Sequence, residues 1–160
     1  MPSFNKVKNI IVTGATGFIG QHLIPQLLDN NFHVIAISRD VKKASVFEWY
    51  KEVEYYSFDI GKEIKNFEIK NHTGLIHLAW EGLRDYKSSH HIDINLPSSL
   101  QFIQSLIRKG LSQILVAGTC LEYGKQSGAI KSSIECQPIN SYGIAKNELH
   151  KSLRQLKQNY

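Results

Sequence analysis

The stretch Gly14-Ala15-Thr16-Gly17-Phe18-Ile19-Gly20 narrows the fold more than any other part of the chain. It follows Ile10-Ile11-Val12, a short β-branched run of the kind that forms a strand buried on both faces. It leads into a segment where Ile19, Leu23 and Leu27 recur every four residues, with Ile24 and Leu28 beside them: one face of a helix reaching about Asn30-Asn31. Pro25 falls inside that helix and is expected to bend it. A strand, a glycine-rich turn and a helix in this order suit an anion. Gly14 permits the tight turn, Gly17 keeps the backbone open at the helix N-terminus, and Gly20 lets helix pack on sheet. The plainer alternative is a turn with a structural role only.

The rest of the chain keeps the alternation. His33-Val34-Ile35-Ala36-Ile37, Glu54-Tyr55-Tyr56-Ser57-Phe58, Gly74-Leu75-Ile76-His77-Leu78 and Ile114-Leu115-Val116-Ala117 read as four further strands. A helix with Leu96, Leu100, Ile103 and Ile107 on one face is stopped by Gly110, and its start is blurred by Pro97. A last helix runs from Tyr142 to about Gln158 with Ala145, Leu149, Leu153 and Leu156 on one stripe. Five strands separated by helices predict parallel β-α-β units, hence an α/β, doubly wound, Rossmann-type sheet in the order 3-2-1-4-5. With no repeat or linker, residues 1–160 read as one domain.

The 42% hydrophobic and 21% charged composition is that of a globular domain. A net charge of +5 suits a phosphate-bearing ligand or a generic basic surface equally, because the cations are scattered. Lys146, Lys151, Arg154 and Lys157 read as a solvated helix face, which argues against a nucleic-acid partner. Cys120 and Cys136 show no metal-ligand spacing, so no metal is expected. No apolar run is long enough for a membrane span and the N-terminus carries no signal peptide, so the expected setting is the cytoplasm.

Two further patterns concern chemistry. Dinucleotide sites selective for NAD place an acid at the end of the second strand, to bond the ribose 2′-hydroxyl. Here that position is Ser38, followed by Arg39, with Asp40 two places past the strand end. A hydroxyl and a guanidinium suit a 2′-phosphate, so NADP is expected, with NAD as the alternative; Arg39 merely solvating a loop is the bland reading. Tyr142-Gly143-Ile144-Ala145-Lys146 puts a phenol and an ammonium on one helix face. An ammonium beside a phenol stabilises the phenolate, bringing an ordinary value of about 10 toward neutrality.

Thr13-Gly14-Ala15-Thr16-Gly17-Phe18-Ile19-Gly20 together with the YxxxK pattern resembles the extended short-chain dehydrogenase/reductases, the NAD-dependent epimerase/dehydratase family, over residues 8–158. The resemblance implies that Gly14, Thr16, Gly17, Phe18, Ile19 and Gly20 hold the dinucleotide. It implies that Asp59-Ile60 lies beside the adenine, and that Leu78-Ala79 in the run His77-Leu78-Ala79 lies beneath the cofactor. Asp59 could equally cap a turn, and His77 reads as a strand residue rather than a base. Thr119 falls where the family keeps its catalytic Ser or Thr, beside Tyr142 as proton donor or acceptor and Lys146 on the nicotinamide ribose; alone, Thr119 is a plain strand-end residue. Trp80, Glu81 and Tyr123 stand on loops at the carboxyl ends of strands, where substrate binds, although surface aromatics need no such explanation. Asn95 resembles a family residue near the cofactor.

The function so implied is that of an NAD(P)-dependent oxidoreductase or epimerase on a nucleotide-linked sugar, above all a 4-keto-sugar reductase. Dehydratases of the family carry Asp-Glu where this chain has Cys120-Leu121, which disfavours water loss; Glu122 is an acid one position late. The competing class is a non-catalytic nucleotide-binding or interaction module. Family members continue past YxxxK into a smaller C-terminal substrate domain, whereas this chain stops at Tyr160. That implies an expressed fragment, a natural truncation or part of a split assembly, with weak or absent turnover. It also implies homo-oligomers joined through the helix near Leu100 and the last helix.

Overall fold

The computed structural model describes residues 7–159 apart from 65, 66, 112 and 132. Among the described residues, β1 (Asn9–Thr13), β2 (His33–Ser38), β3 (Glu54–Ser57), β4 (Thr73–His77) and β5 (Gln113–Val116) form one parallel sheet, ordered β3-β2-β1-β4-β5. The helices are α1 (Phe18–Asp29), α2 (Val41–Ala44), α3 (Leu96–Arg108) and α4 (Ser141–Asn159). Short 3-10 turns at Glu48–Lys51 and Cys120–Tyr123 and a π-turn at His91–Asn95 were not foreseen, being too short to leave a period in the sequence.

The chain divides into two compact units, Met1–Ala79 with Gln104–Ala117, and Trp80–Ile103 with Gly118–Tyr160. In the first, β1 is central and pairs along its whole length with β2 and β4. Ile11, Val12, Val34 and Ala36 are accordingly almost wholly buried, as an unbroken apolar run in a parallel sheet requires. Ile10, Val12, Ala15, Ile24, Val34, Ala36, Ala44 and Trp49 form a continuous core that joins β1 and β2 to α1, α2 and the Glu48–Lys51 turn. The outer strand β3 is half-buried or exposed throughout, and its Glu54 bonds Lys70 at 3.1 Å.

Three expectations about faces are corrected. Ile19, expected on the buried stripe of the first helix, is 56% exposed; Gly20 and Ile24 face the sheet instead. The reason is at Gly20: a Cβ there would lie 2.5 Å from the Gly14 carbonyl oxygen, so the missing side chain sets where α1 touches and turns Phe18 and Ile19 outward. On α3, Leu96, Leu100 and Ile107 are only half-buried, while Ser99, Phe102, Ile103 and Leu106 are buried, so the covered face is rotated from the predicted stripe. On α4, Lys146 is not part of a solvated face. It shares the buried side with Ala145, Asn147 and Leu149, while Lys151 and Arg154 are exposed as expected.

Candidate active site

The strand order reverses between β1 and β4, the position at which parallel α/β sheets open a crevice for ligands. Thr13 ties the two strand ends together. Its Oγ1 accepts from the amides of Leu78 and Ala79 at 3.2 and 3.3 Å and lies 2.9 Å from His77 Nδ1. With two amides donating to it, the hydroxyl's own proton goes to the imidazole. His77 is thus a buried strand-end residue locked to Thr13.

The turn that follows β1 fits a pyrophosphate. Gly14 has φ +69°, and a Cβ there would stand 2.9 Å from the Ala79 nitrogen and the Leu78 carbonyl carbon, so only glycine is accommodated. Gly17, the N-cap of α1, is exposed, and a Cβ on it would meet only the Gly14 carbonyl oxygen, at 3.1 Å. No side chain caps α1 and its first turn holds no acid, leaving the positive end of the helix dipole uncompensated beside Thr16, Phe18 and Ile19.

The end of β2 is less open than the sequence suggested. Ser38 is buried, and its hydroxyl is engaged at 2.8 Å with Tyr55, whose own hydroxyl lies 3.2 Å from the Ser38 carbonyl oxygen. Arg39 is exposed, and Asp40 N-caps α2 by accepting from the Lys43 amide at 3.1 Å. Asp59 accepts from the Gly61 amide at 3.0 Å, a local turn contact, and Ile60 beside it is half-buried.

The second unit holds the Tyr-Lys pair. Asn140 starts α4 by accepting from the Gly143 amide at 2.8 Å, and Ser141 Oγ donates to the Lys87 carbonyl at 2.9 Å. Tyr142 then donates its backbone N–H to the Tyr86 carbonyl at 3.0 Å. Its ring is enclosed by three others: Tyr86 stacked at 5.4 Å, Trp80 edge-on at 5.8 Å and His91 tilted at 5.2 Å. One turn along α4, the buried Lys146 ammonium stands 4.4 Å over the Trp80 ring, a cation–π contact.

The enclosure is set by the wholly buried His91. Its Nδ1 accepts from Trp80 Nε1 at 3.0 Å and from Asn95 Nδ2 at 3.2 Å, so Nε2 carries the proton and donates to the Asp85 carbonyl at 2.9 Å. Asn95 also donates to the Glu81 carbonyl at 3.0 Å, and the Glu81 carboxylate lies 3.2 Å from His90 Nε2. Thr119 N-caps the Cys120–Tyr123 turn, its Oγ1 accepting from the Leu121 amide at 3.3 Å, and its hydroxyl lies near enough to Tyr142 to draw the phenol's pKa down. Tyr123, expected on an open loop, is half-buried as the last residue of that turn.

Burial dominates the electrostatics of the pair. It pushes the Tyr142 phenol above its ordinary value; the nearby Thr119 hydroxyl opposes this, and the neighbouring Tyr86 and Glu122 add to it. It pulls the Lys146 ammonium down to about 8, with the Glu122 carboxylate opposing. At neutral pH the group that results is a protonated phenol beside an ammonium, which suits donation of a proton to a developing alkoxide. Tyr86, His91 and Glu122 were not singled out for this site from the sequence. Only Glu122 left a local signal, the Thr-x-x-Glu capping box.

The model of the NAD dependent epimerase/dehydratase family matches residues 10–160. The dTDP-6-deoxy-L-talose 4-dehydrogenase (NAD(+)) of Aggregatibacter actinomycetemcomitans is 36% identical over 146 residues, 91% of this chain and 54% of that protein. The dTDP-4-dehydro-6-deoxyglucose reductase of Escherichia coli is 27% identical over 86% of this chain and 47% of its own length. Among solved structures, UDP-glucuronic acid 4-epimerase from Bacillus cereus, in complex with UDP-glucuronic acid and NAD, superimposes with a TM-score of 0.78 at 24% identity, covering 95% of this chain and 53% of that one. The chain therefore spans about half the length of the proteins it matches.

Proposed function

Since the chain belongs to the NAD dependent epimerase/dehydratase family, we propose that it serves the NAD(P)-dependent reduction of a nucleotide-linked 4-keto sugar. The observation that carries this reading is the juxtaposition of Thr119 and Tyr142, near enough for the Thr119 hydroxyl to favour the phenolate, one helical turn from a buried Lys146. Thr119 holds the sugar oxygen, and Tyr142 gives it a proton as the carbonyl carbon is reduced; the phenolate then regains a proton from solvent. Lys146 stabilises that phenolate and bonds the nicotinamide ribose. The nicotinamide, when bound, supplies the hydride. A phenol raised by burial favours the donor role, hence reduction at neutral pH, whereas oxidation of the alcohol needs the phenolate and gains as pH rises.

Gly14, Thr16, Gly17, Phe18, Ile19 and Gly20 cradle the pyrophosphate. Asp59 with Ile60 takes the adenine, Leu78 and Ala79 line the cofactor, and Trp80, Glu81 and Tyr123 take the sugar nucleotide. In this reading the chain is one NAD(P)-binding domain, its two free cysteines suit the cytoplasm, and it forms homo-oligomers through its long helices.

NADP is proposed from Arg39, with Asp40 occupied in capping α2. Ser38 drops out as a phosphate ligand because Tyr55 holds its hydroxyl. The NAD(+) in the dehydrogenase relative's name favours NAD as the second reading. Arg39→Ala should weaken NADPH by about 1.5–3 kcal/mol and NADH much less; calorimetry with equal losses for both would select NAD.

The reaction itself is tested with 4-deuterated NADPH and a dTDP-4-keto-6-deoxy sugar. One deuterium should reach the sugar carbon, at a rate at least about 100-fold lower in Tyr142→Phe. Incorporation unaffected by Tyr142→Phe would remove the phenol from the chemistry.

A further inference from the structure

Glu122 is an acid buried to 6% exposure in the Cys120–Tyr123 turn. Its Oε1 accepts from the Thr119 amide at 2.8 Å, while Thr119 reciprocates by capping the turn. Its Oε2 lies 3.7 Å from Nδ1 of the half-exposed His150. Room for the carboxylate comes from Gly118, where a Cβ would approach Oε1 to 3.1 Å. The turn is also wedged against the start of α4: a Cβ on Gly143 would stand 2.5 Å from the Leu121 carbonyl oxygen. Thr119, Glu122, Tyr142 and Lys146 are thus set by one rigid contact between a turn and a helix. Burying a carboxylate costs several kcal/mol unless a cation and hydrogen bonds compensate it.

We propose that Glu122 is a positioning residue for this site: its Oε1 holds the Thr119 amide, and its Oε2, set against His150, puts a buried negative charge on the side of α4 that carries Lys146 one turn away. The proposal rests on the reading of Thr119, Tyr142 and Lys146 as the reacting group. Among the described residues, charged and titratable groups surround Lys146 and Tyr142. From α4 they are Tyr142 and His150, and from the turn Glu122 and Cys120. From the 80–95 segment they are Tyr86, the Trp80 ring under the ammonium, and His91, whose protonated nitrogen is committed to the Asp85 carbonyl. Among them Glu122 is the acid; its charge raises the pKa of Tyr142 and of Lys146, adding to the larger effect of burial on the phenol and opposing it on the ammonium.

Two substitutions separate its roles. Glu122→Gln keeps an oxygen for the Thr119 amide and removes the charge; Glu122→Ala removes both. The Lys146 Nζ titration is followed by NMR on the full chain carrying isotope-labelled lysine, with Glu148→Gln, which breaks an exposed pair with Lys151, as the control. The Lys146 midpoint should fall by about half a pH unit or more in Glu122→Gln and stay unchanged in Glu148→Gln. The Thr119 amide should exchange about tenfold faster in Glu122→Ala, and at the wild-type rate in Glu122→Gln.

A Lys146 midpoint common to wild type and Glu122→Gln overturns the proposal, as does Thr119 exchange that is indifferent to Glu122→Ala. Should Glu122→Ala fail to fold, the Glu122→Gln titration decides alone. Neither readout uses cofactor or turnover. Absence of sugar reduction would therefore count against the proposed function while leaving this result standing.

Discussion

Replacing Lys146 by Met should stabilise the protein at neutral pH and abolish a specific rise in stability under alkaline conditions. The side chain is 5% exposed, and burial draws its ammonium from 10.5 to about 8. At about 1.36 kcal/mol per decade, that fall corresponds to about 3 kcal/mol of penalty carried by the charged form. The indole face of Trp80, 4.4 Å away, returns about 0.5–2 kcal/mol, so burial wins and the net penalty is about 1–2.5 kcal/mol. The folded state binds fewer protons than the unfolded state between about 8 and 10.5. Stability attributable to Lys146 is therefore fully present above 10.5 and lost as pH falls through about 8.

The raised tyrosines Tyr55, Tyr56 and Tyr142 act in the opposite sense above 10, so the quantity to measure is the difference between wild type and Lys146→Met. Urea melts at pH 7 should favour Lys146→Met by about 1–2.5 kcal/mol, and the gap should close by pH 10.5. A variant less stable than wild type at pH 7, or a gap independent of pH, would refute a buried ammonium held at a cost. Met preserves the apolar stem, so lost packing would not mimic the effect.

Other perturbations probe the remaining architecture. Gly20→Ala should destabilise the fold by about 1–3 kcal/mol in urea melts, because its methyl meets the backbone oxygens of Gly14 and Ala15 at 2.5 and 2.6 Å; Gly17→Ala should cost far less, and equal losses would contradict the packing role assigned to Gly20. His91→Phe leaves the Trp80 indole N–H, the Asn95 amide and the Asp85 carbonyl without their shared partner. It should cost about 2–4 kcal/mol and shift Trp80 fluorescence; a loss below about 0.5 kcal/mol would show that His91 does not organise the enclosure.

What could be read from the chain and what could not divides along the range of the interactions. The glycine turn, the strand runs and the Tyr142–Lys146 spacing are local, and the structure has each within two residues of its expected place. The order β3-β2-β1-β4-β5 follows once the strands alternate with helices, because right-handed crossovers leave few arrangements. The enclosure of Tyr142 was out of reach: Trp80, Tyr86 and His91 stand more than fifty positions away in sequence, and no periodicity links them to it. Lys146 looked like one more solvated cation because charge alone does not tell which side of a helix is covered. Glu122 was legible in principle. Compared with a dehydratase pattern it was an acid one position late, whereas Thr-x-x-Glu is a capping box.

The proposed function requires that the chain bind a nicotinamide dinucleotide, with the glycine turn and Lys146 as the contacts it names. The measurement that tests it most directly is an equilibrium titration of the full chain with NADPH and NADH, monitored by calorimetry. One saturable site per chain is expected, with affinity reduced about tenfold or more by Gly17→Val and by Lys146→Met alike. No saturable binding of either dinucleotide, or Lys146→Met binding as tightly as wild type, would contradict it.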